Sequence, residues 1–140
     1  MKNYVHINIA TVSQSSSEAY IQSKSIITAK SIRTNYAGNC TFMIYEEGNS
    51  LRTIEITQSI ENICSQLNED NINTIFLHLS KDNGNVMCVV DKINRIDTFK
   101  GASKGSIIYF ANEKVNYFLV NESVQLVVKK IEESYKHEVE

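Results

Sequence analysis

Long apolar runs are missing from this chain. No stretch approaches the roughly 20 residues that a membrane-spanning helix needs. Positive charge is not in excess either: 14 Lys and Arg stand against 16 Asp and Glu, a formal net charge of −2. Nucleic acid is usually held by a clear cationic surplus, so this balance argues against a polyanion binder. Cysteine is scarce and odd in number, with Cys40, Cys64 and Cys88 and no C-x-x-C spacing. That pattern argues against a disulfide framework and a structural zinc site, and makes a reducing compartment the default. Proline is absent altogether. The opening MKNYVHINIATV alternates apolar and polar residues, so it reads as a strand and not as a secretory signal. The expected location is the cytoplasm or a virion.

What is present is enough for a core. The chain has 140 residues, 42% of them hydrophobic and 21% charged, which suits one ordinary domain or two very small ones. Isoleucine, asparagine and lysine are abundant, as in many proteins from AT-rich genomes.

An internal repeat organises these residues. Slid by 64 positions, the segment 31–69 lies over 95–133 without a gap. Ile44 then meets Ile108, Tyr45 meets Tyr109, and Ile54 and Ile56 meet Phe118 and Val120. The helical parts match best. Ile60, Ile63, Cys64 and Leu67 fall at i, i+3, i+4 and i+7, and Val124, Val127, Val128 and Ile131 fall at the same four places. Ser59 and Ser123 are positioned to cap these helices, with Thr57 and Asn121 as competing caps. Further upstream, Tyr4-Val5-His6-Ile7 pairs with Phe76-Leu77-His78-Leu79. Val5, Ile7, Ile9, Leu77 and Leu79 should face one way, and Tyr4, His6, Asn8, Phe76, His78 and Ser80 the other, as in a half-buried strand.

The fold class expected is α+β, two tandem ββββα repeats packed as a pseudo-symmetric pair. Repeat one spans 1–70, with strands near 3–12, 20–34, 40–47 and 51–57 and a helix near 59–69. Repeat two spans 71–140, with strands near 74–81, 86–98, 105–111 and 115–121 and a helix near 123–136. A serine-rich insertion near 13–18, Gly38-Asn39, Gly48-Asn49, Asp82-Asn83-Gly84-Asn85 and Gly101 to Gly105 punctuate the turns. Phe42-Met43-Ile44-Tyr45 and Ile107-Ile108-Tyr109-Phe110 lose alternation, so both faces of the third strand should be covered.

The second repeat resembles a known family. Val89-Val90-Asp91-Lys92-Ile93-Asn94-Arg95-Ile96, the strand Ser106-Ile107-Ile108-Tyr109-Phe110, and the corner Glu122-Ser123-Val124 are similar to the small FlbD-like proteins of flagellar and swarming motility. The first repeat has Gln58-Ser59-Ile60 at that corner. The resemblance implies a small interaction domain without catalytic residues.

Candidate chemistry is thin. His6 and His78 occupy matched strand positions and could share a metal, but no carboxylate or thiol recurs beside them in sequence. Cys40 opens a strand without a base to activate it, whereas Cys64 and Cys88 fit core positions. Gly101-Ala102-Ser103-Lys104-Gly105 lacks the spacing and the following helix of a phosphate loop. Lys92, Arg95, Lys100 and Lys104 near it are diluted by Asp91 and Asp97. His137, Glu138 and Glu140 belong to a charged tail.

The residues that repeat are almost all apolar. A duplicated active site would leave duplicated polar residues, so the expectation is a non-enzymatic structural or protein-interaction subunit, without cofactor, metal or small-molecule substrate. An auxiliary or decoration protein of a phage head is the leading case. The alternative is a bacterial regulator or adaptor that binds one protein partner. A protein partner or a second copy of the chain should meet the outward aromatics Tyr4, Phe76 and Tyr117.

Overall fold

In a computed structural model the described residues are 2–10, 17–34, 38–81, 84–100 and 105–135. The insertion at 13–16, Asp82-Asn83, the glycine-rich stretch 101–104 and the tail with His137, Glu138 and Glu140 lie outside them. The chain is α+β, with ten strands and two α-helices among the described residues. It divides into two compact units, Met1–Ile72 and Asn73–Glu140. No helix among the described residues is long and apolar enough to cross a membrane.

Unit one begins with a hairpin of β1 (Tyr4–Asn8) and β2 (Glu18–Gln22). Alternation sorts β1: Val5 and Ile7 are buried, Tyr4 and His6 are half-buried and Asn8 is exposed. One 3-10 turn, Ser23–Ser25, leads into β3 (Ile26–Thr34). An antiparallel meander follows through β4 (Gly38–Glu47) and β5 (Ser50–Ile56). The two-residue turn between them places Gly48 at φ +61°, a left-handed value that glycine adopts without a steric cost. The bridge Ile9↔Ile56 joins the end of β1 to β5, supported by Thr57 N–H donating to Asn8 O at 2.9 Å. The two-stranded sheet β1-β2 is thus joined by one bridge to the meander, whose strand order is β5-β4-β3.

Helix α1 (Ile60–Glu69) closes the unit. Ser59 caps it, its hydroxyl accepting from Asn62 N–H at 3.1 Å. All four stripe residues, Ile60, Ile63, Cys64 and Leu67, are buried. The helix stops at left-handed Asn71 (φ 61°), where Ile72 N–H donates to Leu67 O at 3.0 Å. Asp70 ties three parts of the unit. It accepts from Asn3 N–H at 2.9 Å and from the Ser23 hydroxyl.

Unit two runs through the same order of elements. The hairpin is β6 (Thr74–His78) with β7 (Asn85–Val89), followed by the 3-10 turn Val90–Lys92. The meander is β8 (Ile93–Thr98), β9 (Ser106–Phe110) and β10 (Phe118–Val120). The bridge Leu79↔Val120 and the bond from Asn121 N–H to His78 O at 2.8 Å close it. Helix α2 (Val124–Tyr135) is capped by Ser123, which accepts from Leu126 N–H at 3.2 Å. Serine, and not Thr57 or Asn121, is the side chain that accepts from the first turn of each helix.

Four expectations need correction. The first is strand number: each long second strand is broken by a 3-10 turn, so each unit has five strands and not four. The break lets one run of chain serve two ladders.

The second is register. The gapless overlay set Met43 over Ile107 and Thr41 over Gly105. The ladders instead match the row Ala29–Met43–Ile54 with Ile96–Ile108–Phe118, and Thr41–Ile56 with Ser106–Val120. A one-residue slip exchanges the faces of a strand.

The third is the cover of the third strand. In β4, Thr41 and Met43 are buried while Phe42, Ile44 and Tyr45 are half-exposed. In β9, Ser106, Ile108 and Phe110 are buried while Ile107 and Tyr109 are half-exposed. One face is covered and the other is not. The runs buried at successive positions, hence on both faces, are Ile26–Ala29 and Val86–Val89. The fourth is Val128, expected in the core and found exposed.

Candidate functional site

The corner before each helix is the most elaborate polar feature of its unit. In unit two the buried Glu122 carboxylate accepts the His78 backbone N–H through both oxygens, at 3.0 and 3.1 Å. Its Oε2 lies 2.7 Å from His78 Nδ1. Ser106 Oγ donates to Glu122 O at 2.6 Å. In unit one Gln58 takes this place. It accepts from Asn8 N–H and donates to His6 O, both at 2.6 Å, and Thr41 Oγ1 donates to Gln58 O at 2.6 Å. Gln66 accepts the His6 N–H at 2.8 Å. Each corner pins the strand that closes the unit, with the carboxylate or amide bonded to that strand's backbone.

Both histidines have a carboxylate beside them that their sequence neighbours did not reveal. His6 Nε2 lies 2.8 Å from Glu18, and the His6 ring packs on Tyr20 with centroids 5.0 Å apart. His78 meets Glu122. These pairs are built differently, with an exposed glutamate in one unit and a buried one in the other. Among the described residues no group of three or more His, Cys, Asp or Glu is placed to hold a metal ion. Cys40, Cys64 and Cys88 are all buried and none is in a disulfide.

The outer face of the unit-two meander carries an aromatic row. The Arg95 guanidinium stands 4.4 Å over the Tyr109 ring, and Tyr109 and Tyr117 have ring centroids 5.7 Å apart. Asp97 pairs with Arg95 at 3.1 Å, while Ile107 and Leu119 flank the row half-exposed. The same face of unit one is sparser, with Lys30 Nζ 5.6 Å from the centre of the Phe42 ring.

Helix α2 presents a second open apolar surface. Only Val127 of its stripe is buried. Val124 and Ile131 are half-buried, and Val128 and Tyr135 are 39% and 42% exposed. These four residues lie along one flank of the helix. Leu126, 42% exposed, lies on the other flank.

The outward aromatics expected at an interface divide. Tyr117 is exposed and belongs to the Arg95–Tyr109 row. Tyr4 and Phe76 are half-buried on β1 and β6, and the Phe76 carbonyl accepts from Lys130 Nζ at 2.9 Å. Exposed Tyr20, Leu126, Val128 and Tyr135 escaped the sequence reading. Helical period identifies residues that share a face, but not whether anything covers that face.

No protein-family model matches this chain, and neither the curated proteins nor the solved structures contain a match to it.

Proposed function

We propose that the chain is a tandem duplication of one ββββα-derived unit and acts as a non-enzymatic protein-interaction subunit of a larger assembly, such as an auxiliary protein of a phage head. The duplication is supported by the shared order of elements and by matched details. Ser59 and Ser123 cap, Gln58 and Glu122 clamp, and Thr41 and Ser106 bond the clamp carbonyls. Among the described residues, what the two units hold in common is apolar packing and backbone fixing, with no repeated reactive group.

The interaction reading rests on the open flank of α2. The stripe that α1 buries completely is left with Val128 exposed in α2, and Tyr135 extends the open flank. A contiguous apolar surface that the chain itself leaves open marks a contact surface. An adaptor that grips a single partner, as the motility-family resemblance implies, is the second reading. The Arg95–Tyr109–Tyr117 row favours it, because tyrosine and arginine dominate the energetic centres of interfaces.

The test is gel filtration with light scattering on the untagged chain in extract of its native source. The wild type should travel in a particle heavier than one chain, and Val128→Asp should release it. Replacing Tyr4, Phe76 and Tyr117 with Ser should weaken association more than about tenfold, since a truncated central aromatic often costs about 2 kcal/mol. A chain that travels as a monomer in that extract ends this reading.

A further inference from the structure

We infer that the outer face of the unit-two meander seats a second copy of the chain. The contact is twofold and lays the row Arg95–Tyr109–Tyr117 of one copy on the row Asp97–Ile107–Leu119 of the other, and the reverse. The inference rests on the interaction reading proposed above and names the occupant of one surface.

Strand register builds the two rows. Arg95 stands opposite Tyr109, Asp97 opposite Ile107, and Ile107 opposite Leu119. Tyr117 continues the ladder beside Tyr109, with ring centroids 5.7 Å apart. Cross-strand neighbours share a face, so these side chains form two adjacent rows on one surface. The pleat sends Ile96, Ile108 and Phe118 to the opposite face, where Ile108 is buried. Arg95 and Tyr117 are exposed, and Asp97, Ile107, Tyr109 and Leu119 are half-exposed.

Each row is the complement of the other. One begins with a cation and continues with two tyrosines. The other begins with an anion and continues with two aliphatic side chains. A twofold axis across the strands lays each strand over its own copy, running the other way. Arg95 then meets Asp97, Tyr109 meets Ile107 and Tyr117 meets Leu119, and every contact occurs twice. Sheets that pack face to face keep their strands within about 30° of a common line, which suits this arrangement.

Charge selects it. Arg95 and Asp97 pair within one chain at 3.1 Å, and the contact gives each a second opposite neighbour. β9 and β10 carry no charged residue and β8 carries these two alone, so no like charges are brought together. A twofold axis along the strands would lay Asp97 on Leu119 and Arg95 on Tyr117, covering both charges without a new partner. The Arg95 guanidinium is already stacked 4.4 Å over Tyr109, which lowers the cost of ordering it.

The matched face of unit one lacks this property. Its rows are Thr28–Ile44–Thr53 and Lys30–Phe42–Glu55. Reversed onto itself, that face sets Lys30 over Thr28 and Glu55 over Thr53, and no charge meets its opposite. Stable interfaces take about 20–30 residues from each side. The unit-two face is smaller, so the dimer should be weak in solution and act chiefly where an assembly holds copies close together.

The experiment is sedimentation velocity on the purified full-length chain from micromolar to millimolar concentration. Wild type should pass from monomer to dimer. Arg95→Asp leaves two anions on the face, and Asp97→Arg leaves two cations. Each variant alone should self-associate more than about tenfold more weakly, because like charges then meet. Mixed in equal amounts, the two should form a heterodimer. Lys30→Asp and Val128→Asp should each leave the dimer intact.

A wild type that stays monomeric overturns the inference. So do single charge variants that dimerise like wild type, a mixture that stays monomeric, or a dimer that Val128→Asp dissolves. The extract experiment above is independent of these results. A purified monomer that travels there in a heavier particle refutes the second copy and keeps the interaction reading. If a variant fails to fold by circular dichroism, nuclear magnetic resonance on wild type decides. Backbone signals of Asp97, Ile107, Tyr109 and Leu119 should shift together as concentration rises. Shifts centred on α2, or none, refute the contact.

Discussion

Gly105 stands where a β-carbon would lie 1.9 Å from the Val120 carbonyl oxygen. That oxygen belongs to the backbone at the closing bridge of unit two and cannot swing aside. Gly105→Ala should therefore cost about 3 kcal/mol, at the upper end of overpacking, read from denaturant melts. The sequence showed this glycine only as the end of a loop, because the close approach arises from β10, fifteen residues downstream. Asp70 offers a pH test in unit one. Its carboxyl is held below the usual carboxylate range by the Asn3 N–H first and the Ser23 hydroxyl second. A depressed folded pKa stabilises above the unfolded value, near pH 4, and that stabilisation disappears as pH falls through the folded value. Melting temperatures taken from pH 6 downward should fall below pH 4, and Asp70→Asn should flatten that part of the curve.

At the scale of elements, the two helices carry one pattern and meet different surroundings. Leu67→Ala in α1 should cost about 3 kcal/mol, because a fully buried leucine leaves a cavity. Val128→Ser in α2 should cost under about 0.5 kcal/mol, as ordinary surface substitutions do. Equal losses in urea melts would show that the α2 flank is covered after all. Both helices, their serine caps and the alternation in β1 and β6 were legible from spacing alone. The break in each second strand was not. Ser23-Lys24-Ser25 and Val90-Asp91-Lys92 share no residue at matched positions, because the turn is set by the need to change ladders. The outer face of the third strand was misread for a related reason. A run such as Phe42-Met43-Ile44-Tyr45 is apolar at successive positions, yet Lys30 and other cross-strand neighbours shield its outer side chains only in part.

For the molecule as a whole, charge and apolar surface point to different classes of partner. With 14 cationic side chains against 16 anionic, no phosphate-tracking surplus exists. Fluorescence anisotropy with a labelled duplex at about 50 mM salt should show no binding at micromolar protein, whereas a steep salt dependence would reopen the nucleic-acid reading. Of the candidate contact residues, Tyr117 was legible as an aromatic left over once the stripes were filled. Tyr20, Tyr109 and Arg95 were not, since their grouping depends on which strands lie side by side.

The closing bridges also set how these units can form. In unit one the clamp joins Asn8 to Gln58 across 50 residues of chain, and in unit two His78 to Glu122 across 44. Every other ladder within a unit links strands that are neighbours in sequence. Hairpins of that kind form in about 1–10 μs, so joining the first strand to the last is the slow event. The loop entropy of that step must be met before its hydrogen bonds form. Gln58→Ala and Glu122→Ala should then act mainly on the folding limb of a stopped-flow chevron, slowing folding more than they hasten unfolding. Substitutions confined to the β4–β5 turn, such as Gly48→Ala, should instead leave the folding limb nearly where it was.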